Sequence, residues 1–162
     1  MKKITDDTVV EIPFTETDIG GTNTAGGDDA VHWFDMANFG SFLAMVELGT
    51  WNATDDLDTC KLEQATSSAG AGKKDLTTSS ATGDYDTDSP VDADGDRVFL
   101  EVQASDLDVN NGYRYVRVYC AETGNTGVDN VSAVYVARRA RFPKSQLPVA
   151  AAAGSKVYVQ RA

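Results

Sequence analysis

Apolar residues in this chain recur at every second position, in short runs separated by polar turns. Across residues 41–48, Phe42, Ala44, Val46 and Leu48 line one face of an extended chain while Leu43 and Met45 line the other. Apolar residues on both faces predict a central strand covered on both sides. Residues 97–103 alternate with Val98, Leu100 and Val102 inward, and DTCKLEQA sets Cys60, Leu62 and Gln64 opposite Lys61 and Glu63. YRYVRVYCAE has the strongest pattern, with Arg114, Val116, Val118 and Cys120 on one face and Tyr113, Tyr115, Arg117 and Tyr119 on the other. VSAVYVARRARF reads as the last long strand, and residues 156–160 as a further short extended piece. Near the start, residues 9–14 read as a strand in which Pro13, lacking an N–H, belongs at a sheet edge.

Turn chemistry fills the gaps between these runs. TETDIGGTNTAGGDD reads as a loop, Asn38–Gly40 separates a short extended piece from the strand at 41–48, and Asn111-Gly112 signals a reversal. The Ser/Gly-rich stretch that follows Gln64 reads as a mobile loop tip. Seven or eight strands with regular turns leave no room for crossover helices. The predicted fold is all-β: an antiparallel two-sheet β-sandwich of jelly-roll type. Residues 1–142 form the sandwich domain, and 143–162, which contain Pro143 and Pro148, form an extended, basic C-terminal arm. With 162 residues the chain can bury about two-thirds of its unfolded surface, so one domain needs no staple.

Charge divides the chain earlier, at the start of the predicted last long strand. All 25 carboxylates lie in residues 1–130 with 8 of the 14 Lys and Arg, a net of −17, whereas 131–162 hold the other 6 cations and no acid. An acidic body repels nucleic acid and anionic lipid, so neither is an expected partner. Opposite charges on one chain suit protein surfaces instead: the tail either folds over its own body or meets the body of another copy. MKKITDDTVVEIPF puts acids where an export signal needs an apolar core, and no run approaches the ~20 apolar residues of a membrane span. Synthesis in the cytoplasm is the expectation. Cys60 and Cys120 sit in apolar strand patterns, which suits buried free thiols, although a disulfide between them stays open.

Candidate chemistry is sparse. His32 is the sole histidine, and beside Trp33 it reads as a packed strand residue, since nucleophile–base pairs and catalytic zinc sites lean on histidine. No nucleophile elbow or phosphate-binding glycine loop is present. No catalytic residue, cofactor or metal is expected, and the chain does not read as an enzyme. In VDADGDR, Asp92, Asp94 and Asp96 surround Gly95 in a way that would offer carboxylates to calcium, which needs 6 to 8 oxygens; the ordinary reading is an Asp/Gly turn feeding the next strand. Tyr113, Tyr115 and Tyr119 on one strand face suit cross-strand packing, a protein interface or a sugar-stacking platform. The candidate interface is therefore Arg138, Arg139, Arg141, Lys144, Lys156 and Arg161 together with those three tyrosines.

CKLEQATSSAGAGKKDL, an acidic stretch and then VFLEVQASDLDVNNGYRYVRVYCAETGNTGVDNVSAVYVARRARF together resemble small structural proteins encoded among the head genes of tailed bacteriophages. The likeness covers roughly residues 30–142. It implies a β-sandwich that sits on or joins the capsid shell, with no catalytic residue to transfer. The expectation is a virion structural protein, a head decoration, cement or minor capsid protein. Its partners would be the major capsid protein, other copies of itself in a homo-oligomer, or head–tail junction proteins. The alternative is a carbohydrate-binding module that adheres to host glycans.

Overall fold

In the computed structural model the described residues are 8–20, 24–25, 33–52, 57, 59–76, 93–122 and 127–139. They form nine strands: β1 (Val9–Asp18), β2 (Thr24–Ala25), β3 (Phe34–Asp35), β4 (Ser41–Leu48), β5 (Thr59–Ala65), β6 (Lys74–Asp75), β7 (Arg97–Gln103), β8 (Tyr115–Ala121) and β9 (Asn130–Arg138). Among the described residues there is no α-helix. Sheet A runs β1-β9-β4-β7, and sheet B runs β2-β8-β5-β6 with β3 also paired to β8. Every pairing is antiparallel. Because β2 meets β8 at Cys120–Ala121 and β3 meets it at Tyr115–Val116, the two short strands share one lateral position beside β8.

The period of two read from the sequence is the period of burial. Phe42, Ala44, Val46 and Leu48 of β4, Val98, Leu100 and Val102 of β7, and Val131, Ala133, Tyr135 and Ala137 of β9 all point into one core. Cys60 and Leu62 of β5 and Val116, Val118 and Cys120 of β8 enter the same core from sheet B. Phe34 of β3 crosses the space between the sheets and lies 5.5 Å from the ring of Phe42, which in turn meets Tyr135 edge-on at 4.9 Å. Each buried aromatic or branched side chain contributes about 1.5–3 kcal/mol of transfer free energy, so this shared layer holds the two sheets face to face.

A hydrogen bond joins the sheets through the core. The Leu62 carbonyl accepts from Leu76 N–H on the β6 side. Leu62 and Val118, directly opposite each other, are therefore a non-hydrogen-bonded pair, and Val118 N–H points away from β5. It faces the position between the pairings of β2 and β3, and there the Tyr135 hydroxyl accepts it at 2.8 Å. Burial pushes the Tyr135 phenol well above its ordinary range, so it remains a neutral hydroxyl.

Several expectations are met. β4 is central, lying between β9 and β7; β1 with Pro13 is an edge; Phe34–Asp35 and a 3-10 turn at Met36–Asn38 precede β4. Other parts differ. β1 continues to Asp18 instead of ending at Phe14, because two register irregularities let TETD stay paired with β9 and Glu16 N–H donate to Ser132 Oγ at 2.9 Å. The supposed mobile tip after Gln64 is a closed turn: Ser67 Oγ accepts from Ala69 and Ala71 N–H, and Thr66 and Ala71 are bonded through both main chain and side chain. The reversal at Asn111-Gly112, with Gly112 at φ 83°, leads from sheet A to sheet B instead of closing a hairpin. The arm at 143–162, His32 and the piece at 156–160 lie outside the described residues.

Replacing Tyr135 by Phe removes the acceptor but keeps the ring, leaving Val118 N–H buried without it. Urea denaturation should show a loss of about 1–3 kcal/mol. An unchanged midpoint would mean that the cross-sheet bond does not contribute.

Candidate interaction surfaces

The tyrosine face expected from the β8 pattern is the outer surface of sheet B. Alternation along β8 puts Tyr115, Arg117 and Tyr119 there, and β5 adds Lys61 and Glu63, whereas Tyr113 and Arg114 precede the strand and Arg114, expected on the core face, is exposed. Each tyrosine ring has a cation over it: Lys74 Nζ stands 4.1 Å from the centre of Tyr113, the Arg114 guanidinium 4.9 Å from Tyr115, and Lys61 Nζ 5.4 Å from Tyr119. The Tyr113 hydroxyl also donates to the Gly72 carbonyl at 2.8 Å. Lys74 donates to Asp108 at 2.6 Å, a bond that raises the lysine pKa and lowers that of the carboxylate, which Asn111 reinforces. Lys61 bonds Asp75 at 2.7 Å, and Arg114 bonds both Asp35 and the Tyr115 hydroxyl at 2.8 Å. These cations, rings and carboxylates largely satisfy one another.

At its centre lies a group whose burial the sequence pattern did not reveal. Arg117 is 1% exposed although it points away from the core. Its Nε donates to Glu63 Oε2 at 2.8 Å across the β5–β8 pair, and one terminal nitrogen lies 2.7 Å from the same oxygen without being aligned for a hydrogen bond. Trp33 covers the guanidinium at 4.5 Å. The turn after β5 presses on Trp33 in its turn: Gly70 is at φ 74°, and a Cβ there would fall 2.8 Å from the indole nitrogen. A side chain at position 70 would force the turn or the tryptophan to shift.

The outer surface of sheet A is different in kind. Its register sets four rows across the sheet. Arg138, Ser41 and Gln103 form the first; Val10, Val136, Leu43 and Glu101 the second; Val134, Met45 and Phe99 the third; Ser132, Glu47 and Arg97 the fourth. Apart from Glu101 at the β7 end of the second row, the middle rows make an apolar stripe, half-buried along most of its length and ending in Phe99, which is 57% exposed. The fourth row is closed by an Arg97–Glu47 ion pair at 2.6 Å. An apolar centre between polar rows is the anatomy of a protein interface. The signal was present in Leu43 and Met45, opposite the core positions of β4, but alternation alone reads such residues as covered.

Of the basic candidates, Arg138 and Arg139 are described, and both are exposed at the end of β9. Arg139 has φ 58°, a left-handed backbone that costs a non-glycine residue roughly 1–2 kcal/mol. The neighbouring Gly40 leaves room for it, since a Cβ on Gly40 would lie 3.1 Å from the Arg139 Cβ. A strained residue thus follows the last residue of β9, beside the first polar row. Arg141, Lys144, Lys156 and Arg161 lie outside the described residues. So does Asp92, while Asp94 and Asp96 serve the turn: Asp94 Oδ1 accepts from Trp51 N–H at 2.8 Å and Asp96 Oδ2 from Ala93 N–H at 3.3 Å. Among the described residues no group of three or more His, Cys, Asp or Glu is placed to hold a metal, and no helix is long and apolar enough to cross a membrane.

No protein-family model matches this chain, and no curated protein or solved structure matches it.

The Glu63–Arg117 pair yields a direct test. Changing Glu63 alone to Gln strands a buried guanidinium and should cost about 3–5 kcal/mol in urea denaturation, whereas the double change Glu63→Leu with Arg117→Met should cost less than that single change. A cost below about 1 kcal/mol for Glu63→Gln would show that the guanidinium reaches solvent.

Proposed function

We propose that this chain is a virion structural protein of a tailed-bacteriophage head, a decoration, cement or minor capsid subunit that acts through protein–protein contacts and not through turnover. The observation that carries the contact reading is the apolar stripe on the outer surface of sheet A, flanked by polar rows and ending in the exposed Phe99. An apolar sheet face rimmed by polar rows suits another folded protein, here the capsid shell, better than a small molecule, which needs concavity. The assignment to a phage head itself rests on the sequence resemblance over residues 30–142.

Strand order supports it at the level of architecture. With β2 and β3 counted as one interrupted strand, the eight resulting strands run 1-8-3-6 in sheet A and 2-7-4-5 in sheet B. We read this as a jelly roll, the double-sheet form used by viral capsid and lectin domains among others. Architecture alone assigns no function, so the surface chemistry must carry the rest. The basic residues after Arg139, with Pro143 and Pro148 to stiffen them, are proposed to form an arm that meets the acidic body of a neighbouring copy. Glycan adhesion is the weaker reading, because stacking on a pyranose needs open ring faces and Lys74, Arg114 and Lys61 already stand over Tyr113, Tyr115 and Tyr119.

Substituting Asp for the exposed Phe99 places a charge in the stripe without touching the core. Co-sedimentation with assembled heads should weaken by about tenfold or more while the circular dichroism spectrum stays that of the parent. Undiminished sedimentation of the folded variant would overturn the contact reading. Truncation after Phe142 tests the arm separately: a folded, truncated chain that still enters heads normally would remove the arm from the account.

A further inference from the structure

The geometry points to Cys60 and Cys120 as an oxidative modification site, a pair of thiols positioned to become a disulfide that locks β5 to β8. The two residues are direct partners across the strands, and their sulfurs are 3.6 Å apart. Leu62 and Val118 are a non-hydrogen-bonded pair, as the Leu62–Leu76 bond requires, and two residues along the ladder Cys60 and Cys120 repeat that condition. Such pairs have Cα atoms about 4.5 Å apart, inside the 4.4–6.8 Å window that a disulfide spans. Closing the sulfur gap to the ~2.05 Å of a covalent bond therefore calls for side-chain rotation and not for a change of register.

Burial decides how the site is used. Both thiols are 0% exposed. The bond to Cys60, reinforced by burial, holds the Cys120 thiol well above its usual range, so Cys120 presents almost no thiolate in the folded chain. The pair is consequently not a nucleophile that turns over. Oxidation must pass through an opening of sheet B, or precede its closure during folding. A low-molecular-weight disulfide is a sufficient oxidant. One cysteine thiolate attacks a sulfur of that disulfide and releases one small thiol; the second cysteine then attacks the mixed disulfide and releases the other. The two cysteines lose two protons and two electrons, and the small disulfide is reduced to two thiols.

The product closes a long loop, from strand β5 to strand β8, and joins the two longest neighbours of sheet B. Loops of this length predict a rise in Tm on the order of 5–10 °C. In the reducing cytoplasm the same pair stays as packed thiols. Oxidation thus hardens the sandwich after synthesis without altering either outer surface, since both sulfurs face the core.

The test uses the full chain, purified under reductant and then either held folded or refolded with oxidised glutathione. The expected result is an intact mass lower by two hydrogens, a Cys60–Cys120 cross-linked peptide, and a raised Tm that dithiothreitol reverses, with refolding much faster than the folded arm. Peptide mapping of the parent protein does not depend on any variant folding. A Cys120→Ala chain, where it folds, should show no rise. Glutathione adducts without an intramolecular link, two free thiols after refolding, or a linked product with a lower Tm would each overturn the proposal.

Discussion

The pleat of a β-strand turns successive side chains to opposite faces, and here that constraint decides the outer surfaces as firmly as it decides the core. Once Phe42, Leu100 and Tyr135 occupy the layer between the sheets, Leu43, Met45, Phe99, Val134 and Val136 are committed to the opposite face, because slipping the register by one residue would expose the core to bring them in. The same rule, acting on β5 and β8, puts Arg117 and Glu63 outward together. What differs between the two sheets is how the outward residues are dealt with.

Sheet B covers its own. Trp33, held down by the turn at Gly70, shields a buried ion pair, and lysine and arginine side chains pair with tyrosine rings and carboxylates around it. Individually these exposed contacts are weak, about 0.5–1 kcal/mol each, but together they leave few groups unanswered. Sheet A carries its apolar rows outward with less cover, and Phe99 is more than half exposed. A surface of the first kind gains little by meeting another protein, while a surface of the second kind gains by losing water. That asymmetry is why the contact reading settles on sheet A.

Much of the fold was legible before any coordinates. Alternation located β4 and β7 to the residue and the bodies of β5, β8 and β9, with β8 starting two residues later and β9 ending four residues earlier than read, and the missing N–H of Pro13 placed β1 at an edge, because strand period and proline chemistry are local properties. The way the strands assort between two sheets was not legible, since pairing β9 with both β1 and β4 depends on contacts distant in sequence. Nor was the burial of Arg117, which requires Trp33 to arrive from a separate segment. Tyr115 and Tyr119 were correctly put on one face, but Tyr113 and Arg114 fall before β8 begins, and Arg114, expected among the core positions, is exposed over the Tyr115 ring. The apolar stripe was half visible: Leu43 and Met45 were noticed, but their continuity with Val136, Val134 and Phe99 exists only once the register is known.

Electron cryo-microscopy of intact heads carrying this protein tests the central claim most directly. The account predicts density for the sandwich against the shell, with the β1-β9-β4-β7 sheet turned inward and the Trp33–Arg117 face toward the medium. A subunit bound through the tyrosine face, or heads with no such density at all, would contradict it.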